Sequence, residues 1–201
     1  MARIVLFKPF ERFWHWSQAA LIIFMLVTGF EVHGSYHLFG FGQAVDYHTV
    51  AAWTLAGLWV FAIFWHITSG EWRQYIPTTD KIVAIANFYS SGIFKGEPHP
   101  FKPSPSQKHN PLQRLTYLAV LVLLTPLIWI TGGLYLFYSS WGALGLSGLK
   151  LDYVAWGHTL GAFLMLAFVI SHIYLATTGH TVFAHIKAMI VGYEDADEHA
   201  H

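Results

Sequence analysis

Two histidines share one face of a long apolar segment near the end of the chain. The segment, Tyr153 to Thr178, contains no Lys, Arg, Asp or Glu, but it contains His158 and His172. Their separation corresponds to a helical rise of about 21 Å and a rotation of about four turns, so both imidazoles project from one side. Imidazole is a frequent metal ligand and is costly at membrane depth, so each histidine predicts a functional site.

Four apolar segments, at about 14–32, 47–68, 115–138 and 153–178, are each long enough to cross a bilayer as a helix. The composition agrees, with 55% hydrophobic, 17% aromatic and only 11% charged residues. The mean hydropathy of +0.44 is typical of membrane proteins. The sequence therefore predicts an all-α integral membrane four-helix bundle, formed by a single domain over residues 1–201.

The distribution of cationic residues predicts the orientation of these spans. Ten of the eleven Lys and Arg residues lie before the first span, between the second and third, or after the fourth. The positive-inside rule therefore predicts that both termini are cytoplasmic. The connection 69–113 is expected to hold an interfacial helix over about 80–94, capped by Thr79 or Asp80, and then a Pro-rich extended stretch without a core of its own.

The predicted orientation places histidines at two depths. Spans two and four run inward, so His48 and His158 lie near the outer surface, whereas His15 at the start of span one lies near the inner surface with His172. Two pairs of imidazoles predict two haem b groups with axial histidine ligands, their irons about 20 Å apart along the membrane normal. His66 lies five turns after His48 on the same face and is an alternative to His15 as the inner ligand.

The composition also excludes several classes of protein. Without cysteine the chain has no disulfide, no cysteine-ligated iron–sulfur cluster and no covalently attached c-type haem. A net charge of zero indicates no nucleic-acid partner. No iron is assigned to the other histidines, which are His33, His37, His99, His109, His180, His185, His199 and His201. Six glycines are expected either to pack helices together or to lie against a flat porphyrin: Gly29, Gly57, Gly132, Gly133, Gly157 and Gly161.

Several sequence motifs, spread over nearly the whole chain, resemble those of a known family. They are ERFWHW at the start of span one, YHTVAAWTLAG in span two, QKHNPLQRL before span three, ITGG within it, GHTLGAFLMLAFVISHIY in span four and HIKAMIVG in the tail. Together they resemble the di-haem cytochrome b subunits of membrane-bound nickel–iron hydrogenases and the gamma subunit of respiratory formate dehydrogenase, which are cytochrome b561-like. The resemblance implies His48 and His158 on the outer haem and His15 and His172 on the inner one.

The segment before span three is the expected quinone site. The resemblance implies that Asn110 helps to bind menaquinone near the inner haem. Asn110 and Gln113 lie at the inner membrane boundary, where an amide can donate a hydrogen bond to a quinone carbonyl. The same Asn110 is also a candidate N-cap of span three. Arg12 and Arg114 are candidate partners of the haem propionates, with simple topogenic charge as the alternative.

The expected function is that of an electron-transfer subunit in a quinone-linked oxidoreductase complex. Such a subunit anchors an extracytoplasmic catalytic or electron-carrier subunit, with iron–sulfur or multihaem centres, in the cytoplasmic (inner) membrane of a prokaryote. It exchanges electrons with menaquinone or ubiquinone. Two alternatives stay open, a stand-alone transmembrane reductase of the cytochrome b561 type and a His-lined metal transporter.

Overall fold

The computed structural model of the chain describes residues 3–179 and 181–195, apart from the side chain of Asp195. Over these residues the chain is mostly helical, as predicted, with one short two-stranded sheet. The elements in chain order are β1 (Arg3–Val5), α1 (Pro9–Val32), α2 (Phe41–Ser69), α3 (Ile82–Ser90), α4 (Pro111–Leu136), α5 (Leu151–Ala176), α6 (Ala184–Val191) and β2 (Tyr193–Asp195).

Helices α1, α2, α4 and α5 are long and apolar enough to cross a membrane. At most 17% of the most hydrophobic stretch of each helix is buried inside the protein, so most of its apolar side chains face outward. Outward apolar surface on this scale is typical of helices that contact lipid. The prediction of four candidate membrane-spanning helices is confirmed.

All four of these helices begin earlier than predicted, α5 by only two residues. α1 begins at Pro9, α2 at Phe41 and α4 at Pro111, whereas the apolar pattern predicted starts at 14, 47 and 115. The reason is that hydropathy locates the apolar part of a helix, while its first turn is free to be polar. Proline suits the first turn because its missing N–H needs no helical partner there, which explains the starts of α1 and α4.

The proline inside α4 is accommodated by a wider helical turn. Pro126 has no N–H and its ring would clash with the carbonyl of the residue four positions earlier. The turn just before it, Val120–Leu124, is π-helical, and regular α-helix resumes at Thr125–Leu136. A π-turn is one of the usual ways to insert such a residue without ending the helix.

The predicted helix of the long connection is present as α3, and its location in the membrane interface stays a prediction. Ile85 and Phe88 are buried, whereas the apolar Val83 on the other face is 68% exposed. The predicted cap at Thr79 or Asp80 was wrong. The N-cap residue is Lys81, in the left-handed region at φ 56°, and its side chain makes no capping bond.

The end of the same connection is held by an ion network, although the sequence predicted an extended stretch without a core. The Lys108 ammonium lies 2.7 and 2.9 Å from the two carboxylate oxygens of Glu11 and 2.9 Å from Glu71. Glu71 also pairs with Lys8 at 2.5 Å. The Lys108 side chain is only 3% exposed. The network therefore fastens the connection to the start of α1 and to the residues that follow α2.

The two ends of the described chain pair with each other. Strands β1 and β2 are antiparallel, with Ile4 opposite Glu194. The guanidinium of Arg12 donates to the carbonyl of Ile190 at 2.6 Å, and the indole of Trp16 donates to Met189 at 3.2 Å. The residues around α6 are thus fastened to the start of α1.

The described residues form two compact units. The first consists of the chain up to Arg114 together with the chain from Tyr174 onward, and the second is Leu115–Ile173. The first unit contains α1, α2, α3 and the ion network. The second contains most of α4 and α5. The assignment of the whole chain to one domain stays a prediction.

Candidate functional site

In the first unit, His48 is held by the end of the preceding helix. It lies seven residues after the start of α2, and its Nδ1 is 3.0 Å from Oγ1 of Thr28 on α1. Thr28 is fully buried. The link between the helices is closed by Glu31, whose Oε1 accepts backbone N–H bonds of 2.7 to 2.8 Å from Leu38, Phe39 and Gly40. This closed turn sets the end of α1 beside the start of α2.

The glycine after Thr28 lets α1 approach the imidazole. A Cβ on Gly29 would lie 3.5 Å from Nδ1 of His48, an ordinary contact, but 3.2 Å from Cε1, which is tighter than ordinary van der Waals contact. Any larger residue at position 29 would therefore require the His48 ring to shift slightly. We call the arrangement of Thr28, Gly29 and His48 the first histidine cradle.

The second unit contains the same arrangement, which we call the second histidine cradle. His158 lies seven residues after the start of α5, and its Nδ1 is 3.0 Å from Oγ1 of Thr131 on α4. A Cβ on Gly132 would lie 3.2 Å from Cε1 of His158. Two histidines that the sequence predicted as a pair are thus each held by a Thr-Gly dipeptide of the preceding helix.

Sequence reasoning did not find the two threonines. The signal was present, because Thr-Gly occurs at 28–29 and at 131–132, and His-Thr occurs at 48–49 and at 158–159. The other predicted glycines divide between two roles. Gly157 and Gly161 lie against Thr131, Leu127 and Ile128 of α4 and therefore pack the helices of the second unit. Neighbouring side chains leave open space around Gly57 and Gly133.

The two predicted inner ligands lie on different units. His15 is in the second turn of α1, with the ring of Trp16 edge-on at 5.1 Å. His172 lies near the end of α5, where its ring stacks on Phe168 at 5.8 Å. The pairing of His15 with His172, like that of His48 with His158, stays a prediction.

The environment of His66 keeps it as the alternative inner ligand. Its Nδ1 lies 2.6 Å from the carbonyl oxygen of Ala62. A carbonyl oxygen only accepts hydrogen bonds, so Nδ1 of His66 carries the ring proton. Its Nε2 is buried and has no hydrogen-bond partner among the described residues. The rings of Trp14, Trp65 and Tyr75 surround the imidazole at 5.0 to 5.5 Å. A buried imidazole nitrogen with a free lone pair is chemically suited to bind a ligand.

Asn110 is the N-cap of α4, one of the two roles predicted for it. Its Oδ1 accepts from the backbone N–H of Gln113 at 2.9 Å, and Oε1 of Gln113 accepts from the backbone N–H of Asn110 at 2.9 Å. The two side chains thus form a complete capping box. The Asn110 amide also donates to the Tyr89 hydroxyl at 3.3 Å, and that hydroxyl lies 3.1 Å from Nε2 of His99.

The environment of this chain of polar groups alters two pKa values. Burial raises the pKa of Tyr89, against a smaller opposite effect of its bond with Asn110. Burial lowers the pKa of His99. Both groups therefore favour their neutral forms at neutral pH. Contact of Asn110 and Gln113 with a quinone stays a prediction, and the cap does not exclude it, because the Asn110 amide has a second hydrogen.

The two candidate propionate partners both bind backbone carbonyls. Arg12 donates to Ile190, and its Nε is buried without a hydrogen-bond partner among the described residues. Arg114 is 9% exposed and donates to the carbonyls of His109 and Ile76 at 3.0 and 3.3 Å. Arg12 thus retains a buried donor, whereas Arg114 holds the connection against the first turn of α4. A role with propionates stays a prediction for both.

The remaining histidines add no further metal centre to the described part of the chain. In residues 3–179 and 181–195, no group of three or more His, Cys, Asp or Glu side chains is placed to hold a metal ion. His180, His199 and His201 lie outside the described residues. The His-lined transporter therefore gains no support from the described side chains.

The donors present fit haem b. In both cradles Nδ1 of an imidazole is engaged by a threonine, so Nε2 is the nitrogen that would bind an iron, and the chain has no cysteine for covalent attachment. Four apolar helices with such histidines define a membrane haem protein. The sequence model described as prokaryotic cytochrome b561 matches residues 6–192. The chain belongs to the prokaryotic cytochrome b561 family.

One relative supports the same conclusion. The chain is 30% identical over 198 residues to the Escherichia coli (strain K12) protein described as "Putative cytochrome YdhU". The match covers 95% of this chain and 74% of that protein. No solved structure matches the chain. The predicted family resemblance is confirmed, and the family implies that the chain binds haem b.

Proposed function

We propose that the chain is a di-haem b membrane subunit that passes electrons between an extracytoplasmic redox partner and the quinone pool. In this proposal His48 and His158 bind the iron of an outer haem, and His15 and His172 bind that of an inner haem. The haems, when bound, supply one-electron transfer. The chain supplies axial ligands and low-polarity helices that keep water away, two properties by which a protein sets haem potential.

The duplicated histidine cradle is the observation that supports this proposal. In each cradle the histidine lies seven residues after the start of its helix, and the threonine lies near the end of the helix before. If the four helices alternate in direction across the membrane, as the charge distribution predicts, both cradles belong to the same side. Two imidazoles of the same type at one depth are what a bis-histidine haem requires.

The charge distribution supports the orientation of this path. The ends of the chain and the long connection carry ten of the eleven cationic residues, and only Lys150 lies elsewhere. By the positive-inside rule both termini and the connection face the cytoplasm of a prokaryotic inner membrane. The cradles then lie toward the extracytoplasmic side, where an iron–sulfur or multihaem partner would exchange electrons with the outer haem.

In this proposal quinone binds near Asn110, on the cytoplasmic side. The Asn110 side chain is already oriented by its cap with Gln113, and its amide retains a hydrogen for a quinone carbonyl. A preoriented donor stabilises the negative charge that builds on oxygen during reduction. The Tyr89 hydroxyl accepts from that amide and lies 3.1 Å from Nε2 of His99, so two groups with exchangeable protons lie beside it. Menaquinone and ubiquinone both present the required carbonyl.

The count and position of the haems test the proposal. We expect two haem b groups per purified full-length chain, one of which is lost in His48→Ala and also in His158→Ala. His37→Ala, in the exposed connection after α1, is the control and should retain both. A chain with one haem, or cradle variants that keep both haems, would contradict the pairing.

The partner is tested by purification from native membranes in mild detergent. A subunit with iron–sulfur or multihaem centres should copurify, and its electrons should reduce the haems of this chain. The second candidate is a stand-alone transmembrane reductase of the cytochrome b561 type, which the family also allows. Quinone-linked turnover by the isolated chain with a small soluble reductant would favour that candidate instead.

A further inference from the structure

The two histidine cradles contain the same hydrogen bond between a threonine and a histidine, but the number of residues between the two partners differs. Oγ1 to Nδ1 is 3.0 Å in each, although 20 residues separate Thr28 from His48 and 27 separate Thr131 from His158. We propose that Thr28 and Thr131 are positioning residues that fix the proton of each imidazole on Nδ1 and present Nε2 to the iron. This inference rests on the proposed function, in which His48 and His158 are axial ligands.

The direction of the hydrogen bond follows from how each hydroxyl uses its single proton. Oγ1 of Thr28 lies 3.0 and 3.3 Å from the carbonyl oxygens of Phe24 and Met25. Oγ1 of Thr131 lies 2.6 and 3.2 Å from those of Leu127 and Ile128. Carbonyl oxygens only accept, so the hydroxyl proton is directed at the helix backbone.

The hydroxyl oxygen therefore accepts toward the imidazole, and Nδ1 is the donor. A neutral imidazole has one N–H, so Nε2 of His48 and of His158 carries the lone pair. The reverse arrangement would leave a proton on Nε2 and block coordination. It would also take the hydroxyl proton away from a backbone carbonyl. Thr28 is 0% exposed and Thr131 is 8% exposed, so little or no water is available to replace that hydrogen bond. The geometry thus selects the tautomer that is able to bind iron.

The glycines restrict the same rings from the neighbouring edge. In both cradles the helix approaches Cε1, to which a Cβ at position 29 or 132 would come within 3.2 Å. The threonine bond and the close helix backbone act on adjacent ring atoms, so together they limit rotation of the imidazole plane. Partners that fix the orientation and basicity of a metal-bound histidine commonly alter the properties of the metal.

The hydrogen bond to the threonine should shift the midpoint potential of the outer haem in one direction. A hydrogen bond from Nδ1–H to an acceptor increases electron density on the imidazole and favours the oxidised iron. Removal of the threonine acceptor should therefore raise the midpoint potential of the outer haem, and by less at Thr131, because the backbone carbonyl of Ile128 also accepts from His158. The hydroxyl is neutral, so its contribution is modest, and we expect a threefold to tenfold change in the ratio of oxidised to reduced haem at a fixed potential. For one electron, tenfold corresponds to about 59 mV.

The test uses Thr28→Val and Thr131→Val in the full chain, since valine keeps the β-branched shape without the hydroxyl. Redox titration and EPR of the outer haem are the measurements. We expect a higher midpoint potential and altered g-values in each variant, because the g-values of a bis-imidazole haem depend on the orientation of the two rings. Thr28→Ser and Thr131→Ser should restore both properties.

Thr68→Val is the matched control. The Thr68 hydroxyl makes the same kind of backbone bonds, at 2.9 and 3.2 Å to Phe64 and Trp65, on an exposed face of α2. Its removal should leave the outer haem unchanged. If His48→Ala and His158→Ala abolish the outer haem but the valine variants match the wild type in potential and g-values, the positioning role is wrong. If the histidine variants keep that haem, the proposed ligation itself is wrong.

Discussion

The ammonium of Lys108 lies 2.7 and 2.9 Å from the two carboxylate oxygens of Glu11, although 97 residues separate them in the chain. Glu11 also accepts from the backbone N–H of Lys8 at 2.7 Å, which caps α1. One carboxylate therefore both begins the first helix and fastens the long connection to it. His15 lies only one helical turn further along α1.

Loss of the Lys108 ammonium should strongly destabilise the protein. Lys108→Met leaves the carboxylates of Glu11 and Glu71 close together with less compensation, and a broken buried ion pair typically costs about 3 to 5 kcal/mol of unfolding free energy. Thermal unfolding in detergent measures the effect. Lys95→Met removes an exposed cation from the same connection and is the control. Equal melting temperatures for the two variants would show that the network contributes little.

The same network predicts a loss of stability in acid. Burial acts to raise the pKa of Glu71, but hydrogen bonds from Lys8 and Lys108 outweigh it and hold the pKa below its ordinary value of 4.5. A group with a lowered pKa in the folded state contributes stability above its unfolded value, and this contribution is lost as pH falls through the folded value. Unfolding measured from pH 6 downward should therefore show a steeper acid loss in the wild type than in Glu71→Gln. Parallel curves would contradict this assignment.

Substitution of His66 distinguishes the two candidate inner ligands. We expect His66→Ala to keep both haems with a modest shift in inner-haem potential, and His15→Ala to lose the inner haem. Haem content and reduced spectra are the measurements. The opposite pattern would assign the inner iron to His66, whose buried Nε2 has the lone pair that ligation requires. Retention of both haems in both variants would move the inner ligand elsewhere.

Asn110→Asp separates the quinone contact from the helix cap. Aspartate is an equally good N-cap, so α4 should remain capped while the amide donor is lost. We expect quinone reduction by the whole complex to fall at least tenfold, while dye reduction and both haem spectra persist. Asn87→Asp is the matched control, because it makes the same amide-to-carboxylate exchange at an exposed position of α3. If the two variants reduce quinone equally well, the amide has no role in quinone binding.

The sequence predicted the helices and the histidines better than the groups that hold them. The four apolar segments and their histidines stand out because charge and imidazole are rare in such surroundings. Thr28 and Thr131 were missed because hydroxyl residues are ordinary in membrane helices and because spacings of 20 and 27 residues defeat a search for a fixed period. Lys108 was missed because a pairing across 97 residues leaves no local pattern. Such contacts depend on the folded arrangement.

The fastening of α1 also has a consequence for the order of biosynthesis. α1 emerges from the ribosome before α2, α4 and α5, yet its start is held by Lys108 and by the carbonyls of Met189 and Ile190, and β1 just before it pairs with β2. Domains and their parts form as the chain emerges, N-terminal regions first. The start of α1 is therefore fixed only after α6 and β2 have been synthesised, whereas the first cradle is complete once α2 has emerged. Maturation should proceed from the His48 end of the protein to the His15 end.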